Sequence, residues 1–491
     1  MYVVAAAVFG VLCSLAFDPL ALPLAMIVGV AGLLAVLHRM TESRTRAVGA
    51  VGAGFGLGFM IPLVWWMNAV STGAYVGIVL SQFGFFALLA VCLRRVMRLP
   101  FWPWWGAFVW VGIEFFRSSF PFSGFPWGRL AHTGIDTPFE SYARLLGMPG
   151  MSAVMFLAAA AIAYAAHGQS LRHVAIALTG VLALLGIGAA LPTGIAGEQG
   201  TRQVALIQGD VPGPVGTWPL GAIFDKHAAE TEQLITDIKA GDQPQPDFVL
   251  WPENSTDVDP EQFTADADRI RELSAVLKAP ILVGAILNGP TADTAYNAGV
   301  VWDKNGPGDR YVKRKVVPYG EYVPFRRALG GLVPRFDRDI PRDMLPGKKP
   351  GTLRIAGVTI GDSICWDIAY DGVIRDNIDR GAQMLVVQTS NASFTGTAQP
   401  EQQWKISRLR AIETGRYVLV PSTNGISGIV DPKGRTVASA AREIPAVLSA
   451  EVALANGRTA GVRFGEILEY ALVTLALVGL IIGRRRRDGQ G

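Results

Sequence analysis

The chain has 491 residues; half are hydrophobic and 17% are charged, against about a quarter charged in an ordinary soluble protein. Its 44 basic and 40 acidic residues leave a formal charge of +4, part of it in the run Arg484 to Arg487, which argues for membrane topology and against nucleic-acid binding. Three cysteines are too few for a disulfide framework, and no short-period repeat or low-complexity tract is seen.

Residues 1–191 are largely apolar. Candidate membrane spans fall near 2–17, 19–37, 47–69, 74–93, 101–117, 151–167 and 171–191, with one more near 465–483. The first has no basic region before it and no small-residue cleavage pattern after it, so it reads as a membrane helix and not a signal peptide. His38, Arg39, Arg44 and Arg46 follow the second span. Arg94, Arg95 and Arg98 follow the fourth, Arg172 separates the sixth and seventh, and Arg484 to Arg487 follow the last. With about eight spans and both termini cytoplasmic, all of these lie inside, and 192–460 lies outside, in the periplasm of a diderm bacterium. Arg117, Arg129 and Arg144 break this pattern. The loop FFRSSFPFSGFPWGRLAHTG reads either as an interfacial aromatic belt or as a lipid-facing floor with an arginine near a phosphate headgroup. Glu114 and Arg117, three residues apart and neighbours on one helix face, read as a buried structural pair, with a substrate contact as the alternative.

The block 192–460 has soluble character. Strands are expected over 204–210, 248–253, 280–287, 296–303, 353–365, 384–391, 417–425 and 447–454, with helices over 222–240, 261–277 and 402–415. Buried strands alternating with helices indicate an α/β sheet, and strands without helices between them add antiparallel pieces. A C-terminal span and basic tail occupy 461–491.

Three strand-end runs carry the chemistry: LWPENS with Glu253, YVKRKVVPYGEYVPF with Lys313 and Glu321, and GDSICWD with Cys365. Cys13 and Cys92 lie in apolar segments and behave as small hydrophobes. Cys365 stands in a polar, structured setting and is the nucleophile candidate. A free thiol is only a few per cent ionised at neutral pH, so it needs a base, and Glu253 is the candidate carboxylate; its bland reading is a strand-end cap. Residue type alone leaves Lys313, Arg314 and Lys315 equivalent. Trp218, Tyr319 and Trp366 read as pocket lining or as packing, and Asn391 and Glu413 as loop-orienting or structural. His132, His173 and His227 lack metal-ligand spacing and no Gly-rich phosphate loop is seen, so neither metal nor cofactor is expected.

LWPE, the Lys-x7-Glu spacing within VPYGEYVP and a cysteine after a strand resemble the nitrilase, or carbon–nitrogen hydrolase, superfamily. With the multi-span half, FPWG at 125–128, the IQGDVP run and QWKISRLRAIETGRYVLVPSTNG at 403–425, the whole chain resembles the apolipoprotein N-acyltransferase family. The resemblance implies a multi-span α-helical membrane domain joined to an αββα sandwich. It further implies acyl transfer from a phospholipid to the terminal amine of a diacylated lipoprotein, in a monomer without cofactor. In that scheme Cys365 is the nucleophile, Glu253 the base and Lys313, with the backbone N–H of Trp366, the oxyanion donor. Glu321 orients Lys313 or the cysteine loop, and Asp367 supports the nucleophile. Trp366-Asp367 stands where an aromatic, often Tyr, followed by Glu is more usual, and TSNASF replaces an Asn-Asp-Ala-Trp-Phe-type run. The same trio with water as acceptor gives the alternative of a membrane-tethered amidase, and a degenerate outer domain would give a non-catalytic scaffold.

Overall fold

The computed structural model describes residues 1–40, 43–168, 170–213, 217–326 and 340–488. They form two compact units, Met1–Thr193 with Thr459–Gly491, and Gly194–Arg458.

The first unit is helical: α1 (Tyr2–Ser14), α2 (Pro23–His38), α3 (Thr45–Leu63), α4 (Thr72–Val96), α5 (Trp102–Ser119), α6 (Tyr142–Gly168), α7 (Leu171–Ala190) and the C-terminal helix Ala460–Asp488. Of these, α3, α4, α6, α7 and the C-terminal helix over Ala460–Arg484 are long and apolar enough to cross a membrane. Length and composition thus support five of the roughly eight expected spans among the described residues. The 13 residues of α1 and 16 of α2 rise about 20 and 24 Å, short of the roughly 30 Å hydrocarbon core. In α5, tryptophans, Glu114 and Arg117 lower the hydropathy.

Basic residues gather at one end of this unit. Arg94 Nε donates to Met40 O at 3.1 Å, the His38 ring lies 3.5 Å from that of His167, and a Cβ on Gly483 would stand 2.9 Å from Arg95 Cγ. The side chains of Arg485 to Arg487 lie outside the described residues. At the other end, Ser141 Oγ donates to Gly188 O at 2.5 Å and Gly461 packs on Ala143 O. Both chain crossings into the second unit therefore leave from that end. There Trp127 is buried against Trp66, while Phe120 and Phe122 are exposed.

The expected Glu114–Arg117 pair is not formed. Glu114 instead accepts from Trp110 Nε1 at 2.9 Å and Leu130 N at 2.8 Å, with Arg129 Nε at 3.6 Å. Arg117 turns to Gln82 Oε1 and Phe125 O, both at 3.2 Å. Arg117 and Arg129 are both buried among protein groups, which does not favour either as a headgroup contact.

The second unit runs β1 (Glu198–Gln208), α8 (Ala222–Ala240), β2 (Phe248–Leu250), α9 (Thr264–Leu277), β3 (Ile281–Asn288), β4 (Thr294–Asp303), β5 (Gly306–Val312), β6 (Asp343–Met344), β7 (Thr352–Ile355), β8 (Val358–Ile364), α10 (Asp371–Asp379), β9 (Met384–Gln388), α11 (Gln399–Thr414), β10 (Val418–Val420), β11 (Gly428–Val430), β12 (Thr436–Ser439) and β13 (Ala446–Ala455). One sheet has the order β13-β1-β2-β3-β4-β5, with β6 on β4, and the other β12-β11-β10-β9-β8-β7. Alternation along each strand builds the layers. Val204 and Leu206 of β1 meet Ile360, Met384 and Val386 between the sheets. Ala205 and Ile207 face outward to Phe224 and Ala228 of α8 and to Leu273 of α9. The result is the expected αββα sandwich.

The run 353–365, expected as one strand, is the hairpin of β7 and β8. Ile355 pairs with Val358, and Ala356 and Gly357 have φ of 49° and 75°, the two positive values that a two-residue I′ turn requires. Apolar alternation continues through this turn, so only Gly357 marks it in the sequence. The polar strand β5 and the short β6, β11 and β12 were not expected.

Gly284 of β3 lies under the turn that carries Glu253, where a Cβ would stand 2.0 Å from Pro252 O. Backbone on that side cannot yield cheaply, so Gly284→Ala is expected to lower stability by about 1–3 kcal/mol, measured as a shift in the denaturation midpoint.

Candidate active site

Cys365 stands where β8 ends and a short 3-10 helix, Cys365–Ala369, begins. Its φ of 50° lies in the left-handed region, a strained conformation for a side-chain-bearing residue that the surrounding structure must enforce. Burial pushes its thiol up to about 12. The charge of Glu253 adds to this, and Lys313 and a hydrogen bond from Thr389 oppose it. At neutral pH the sulfur is therefore protonated.

Lys313 follows β5 and is 1% exposed. Its Nζ donates to Glu253 Oε1 at 3.0 Å and Glu321 Oε1 at 2.8 Å. Burial pulls the ammonium down, but the charges of Glu253 and Glu321 outweigh it and hold the lysine well above its usual range. Arg314 points away to Asp376 at 2.7 Å, and Lys315 stands 4.7 Å over the Tyr370 ring. Of the three adjacent cations, Lys313 is thus the one turned to the carboxylates.

Glu253, also buried, takes further donors from Asn297 Nδ2 at 2.7 Å and Ser390 N at 2.8 Å. Asn297 Nδ2 is shared with Glu321 Oε1 at 3.0 Å, and Glu321 Oε2 accepts from Val317 N at 2.7 Å. The structure thus brings Glu253, Lys313, Glu321 and Cys365 into one cluster.

The other expected residues stand further back. Asp367 is buried and accepts from Tyr311 OH at 2.6 Å and Lys315 N at 3.0 Å. It thereby fixes the cysteine turn to the strand that bears Lys313. Trp366 is buried, its Nε1 donating to Tyr370 OH at 3.1 Å. Glu413 binds Arg410 Nη1 at 2.6 Å, and Arg410 in turn donates to the carbonyls of Ile368 and Ala369 just after Cys365. Asn391 ties Gln399, Gln403 and Ser422 together. Tyr319 lies in the turn between Lys313 and Glu321 with φ 60°. Trp218 is half-buried in the loop after β1, with no hydrogen bond to this cluster among the described residues.

A family model for the apolipoprotein N-acyltransferase N-terminal domain matches residues 9–161, and one for carbon-nitrogen hydrolase matches residues 203–461. An apolipoprotein N-acyltransferase of Mycolicibacterium smegmatis is 34% identical over 472 residues, covering 90% of this chain and 79% of that relative. This chain belongs to the apolipoprotein N-acyltransferase family. Another family member, from Vibrio vulnificus, is 26% identical over 521 residues, covering 99% of this chain and 97% of its own. Among solved structures, an amidase from Nesterenkonia sp. is 18% identical with a TM-score of 0.36, covering 53% of this chain and 92% of its own.

Sequence reasoning missed several residues of this N-acyltransferase-family site: Asn297, Tyr311, Thr389, Ser390, Gln403 and Arg410. Asn297 left one signal, as an amide at an inward position of an otherwise apolar strand. Ser390 acts through its backbone N–H, which no side chain advertises.

The charges around Cys365 have opposite signs of effect. Glu253→Gln is expected to lower the pH at which the thiolate ultraviolet absorbance appears, and Lys313→Met to raise it. Equal midpoints in the two variants would contradict the arrangement.

Proposed function

We propose that this chain transfers an acyl chain from a phospholipid to the N-terminal amine of a diacylglyceryl-cysteine lipoprotein, through a thioester on Cys365. The reading is carried by the Lys313 ammonium held between the buried Glu253 and the half-buried Glu321 carboxylates, beside a protonated thiol.

A neutral thiol attacks only as its proton leaves, and Glu253 receives it while sulfur bonds the ester carbonyl carbon. Lys313 has three N–H groups; two go to Glu253 and Glu321, and the third serves the tetrahedral oxyanion together with the N–H of Trp366. Collapse breaks the ester C–O bond, and Glu253 returns its proton to the departing lysophospholipid oxygen. The lipoprotein amine then attacks the thioester carbonyl. Its proton passes to Glu253 and on to the leaving sulfur, and the amide is released. The ester supplies the activated acyl group, so no external energy source enters. Glu321 and Asn297 hold Lys313 and Glu253 in register, and Asp367 holds the cysteine turn. Cys365, Lys313 and Glu253 are all buried, which limits water as a competing acceptor.

Both lipid substrates require a membrane, and five helices among the described residues are long and apolar enough to cross one. We place the basic end of the helical unit in the cytoplasm, following the positive-inside rule. Because both crossings into the second unit leave from the opposite end, that unit is assigned to the outer face of the cytoplasmic membrane.

Purified protein given a phospholipid and a diacylated lipopeptide is expected to yield N-acylated peptide, with a lipid thioester trapped when the peptide is omitted. Cys365→Ala should abolish both products; persistence of either would sink the assignment. Hydrolysis of small amides without lipid transfer would point to an amidase instead. Lys313→Ala is expected to lower kcat by about a hundred- to a thousandfold, the usual loss for one oxyanion donor, read in the same assay.

A further inference from the structure

Beneath the cluster, inward positions of three strands carry buried oxygens with no donor. They are both carboxyl oxygens of Asp362 on β8, Oε1 of Gln388 on β9 and Oδ1 of Asn297 on β4, none with a hydrogen-bond partner among the described residues. The N–H of Ser363 assists Asp362 at a geometry short of a hydrogen bond. Asp362 Oδ2 and Gln388 Oε1 both border the space over Gly299, where a Cβ would stand 2.2 and 2.4 Å from them. Two acceptor oxygens so placed repel unless a proton lies between them.

Gln388 cannot supply that proton. Its Nε2 donates to Trp251 O at 2.6 Å, and turning the amide would set its oxygen against that carbonyl. No spare cation relieves the pair either, because Lys313 is already opposed by two carboxylates. The titratable groups acting on Asp362 are Glu253, Asp367 and the Tyr311 phenol. An ionised carboxylate in this setting is disfavoured by burial and by like charge alike.

We propose that Asp362 is a positioning residue for acyl transfer, held as the neutral acid and donating its O–H to Gln388 Oε1. That bond locks the Gln388 amide against the carbonyl of Trp251, two residues before Glu253. Gln388 also pairs with Ile364, the residue before Cys365, and leads into Thr389 and Ser390, which hold the thiol and Glu253 Oε2. One proton in the sandwich interior thus ties the base on one sheet to the nucleophile on the other. Burial, then the charges of Asp367 and Glu253, push this carboxyl well above its usual range, in agreement. The positioning role rests on the assignments proposed above for Glu253 and Cys365; the protonation state does not.

The experiment compares infrared spectra of the full-length wild type and Asp362→Asn at about pH 8, where ordinary carboxyls are ionised. The wild type is expected to show a carboxylic-acid carbonyl band that Asp362→Asn lacks. A carboxylate band lost in its place would overturn the proposal. Asp362→Asn keeps a donor through Nδ2 and should hold kcat within about threefold, whereas Asp362→Leu, with none, should lose kcat by about tenfold or more at unchanged KM. Full kcat in Asp362→Leu would overturn the positioning role. If neither variant folds, wild-type spectra still test it: the absence of any acid band at about pH 8 overturns the proposal. Stability gives a second readout. A carboxyl raised in the folded state costs stability as pH rises above its unfolded value of about 3.9, so Asp362→Asn should flatten that decline in the unfolding midpoint, and an unchanged slope would count against the neutral acid. Failure of the wild type to acylate lipopeptide would refute the proposed function and leave the infrared result standing.

Discussion

One buried ammonium sets the terms for the rest of the catalytic unit. Without Lys313, Glu253 and Glu321 would share a carboxylate-rich interior with no counter-charge, and breaking such a buried pair typically costs about 3–5 kcal/mol. With it, the cluster still carries one excess negative charge. That excess, added to burial, keeps the Cys365 thiol protonated. In the mechanism proposed above, the thiolate is therefore formed only as its proton passes to a carboxylate already in place, and is not stored. A resting thiol of this kind is inert toward stray electrophiles.

How far the site was legible in sequence depended on whether its parts were local. Glu253, Lys313 and Cys365 stood out because each ends a strand-like run, and the spacing from Lys313 to Glu321 fits within one turn. The donors that hold them did not. Ser390 N reaches Glu253 across 137 residues and Asn297 across 44, and such contacts arise from the register of strands in two sheets, which no window of sequence contains. The same limit explains the fold. Long strands with clear alternation were found, whereas the β7–β8 turn was hidden by apolar residues on both sides and β5 by its polar composition.

In the helical unit, local reasoning misled where it favoured the nearest partner. Glu114 and Arg117 are neighbours on one helix, yet Glu114 accepts the N–H of Leu130 and faces Arg129, while Arg117 caps the carbonyl of Phe125. In an apolar surround every backbone group must be satisfied internally. The loop after α5 is irregular, and these two charged side chains help to hold it. The basic clusters behaved differently because they follow from chain direction alone. Successive helices must return their ends to the same side, and Arg94 reaching Met40 O is the direct trace of that.

The two units meet a common physical problem in opposite ways. The helical unit uses the buried Glu114, Arg117 and Arg129 to fix one loop, whereas the sandwich changes polarity along its own strands. Inward residues of β8 run Val358, Ile360, Asp362, and those of β9 run Met384, Val386, Gln388. On β4, which takes the opposite direction, the order reverses to Asn297, Gly299, Val301. The apolar part of the interior supplies the burial energy, and the polar part lies under the ends of β2 and β8, where Glu253 and Cys365 emerge. Such a boundary is stable only if each polar group finds a partner, because a half-satisfied network is worse than an apolar core. Gly299 follows from this: any side chain there would displace the oxygens of Asp362 and Gln388. The strain at Cys365 belongs to the same boundary, since its φ of 50° turns the chain out of the sheet just where the interior stops being apolar.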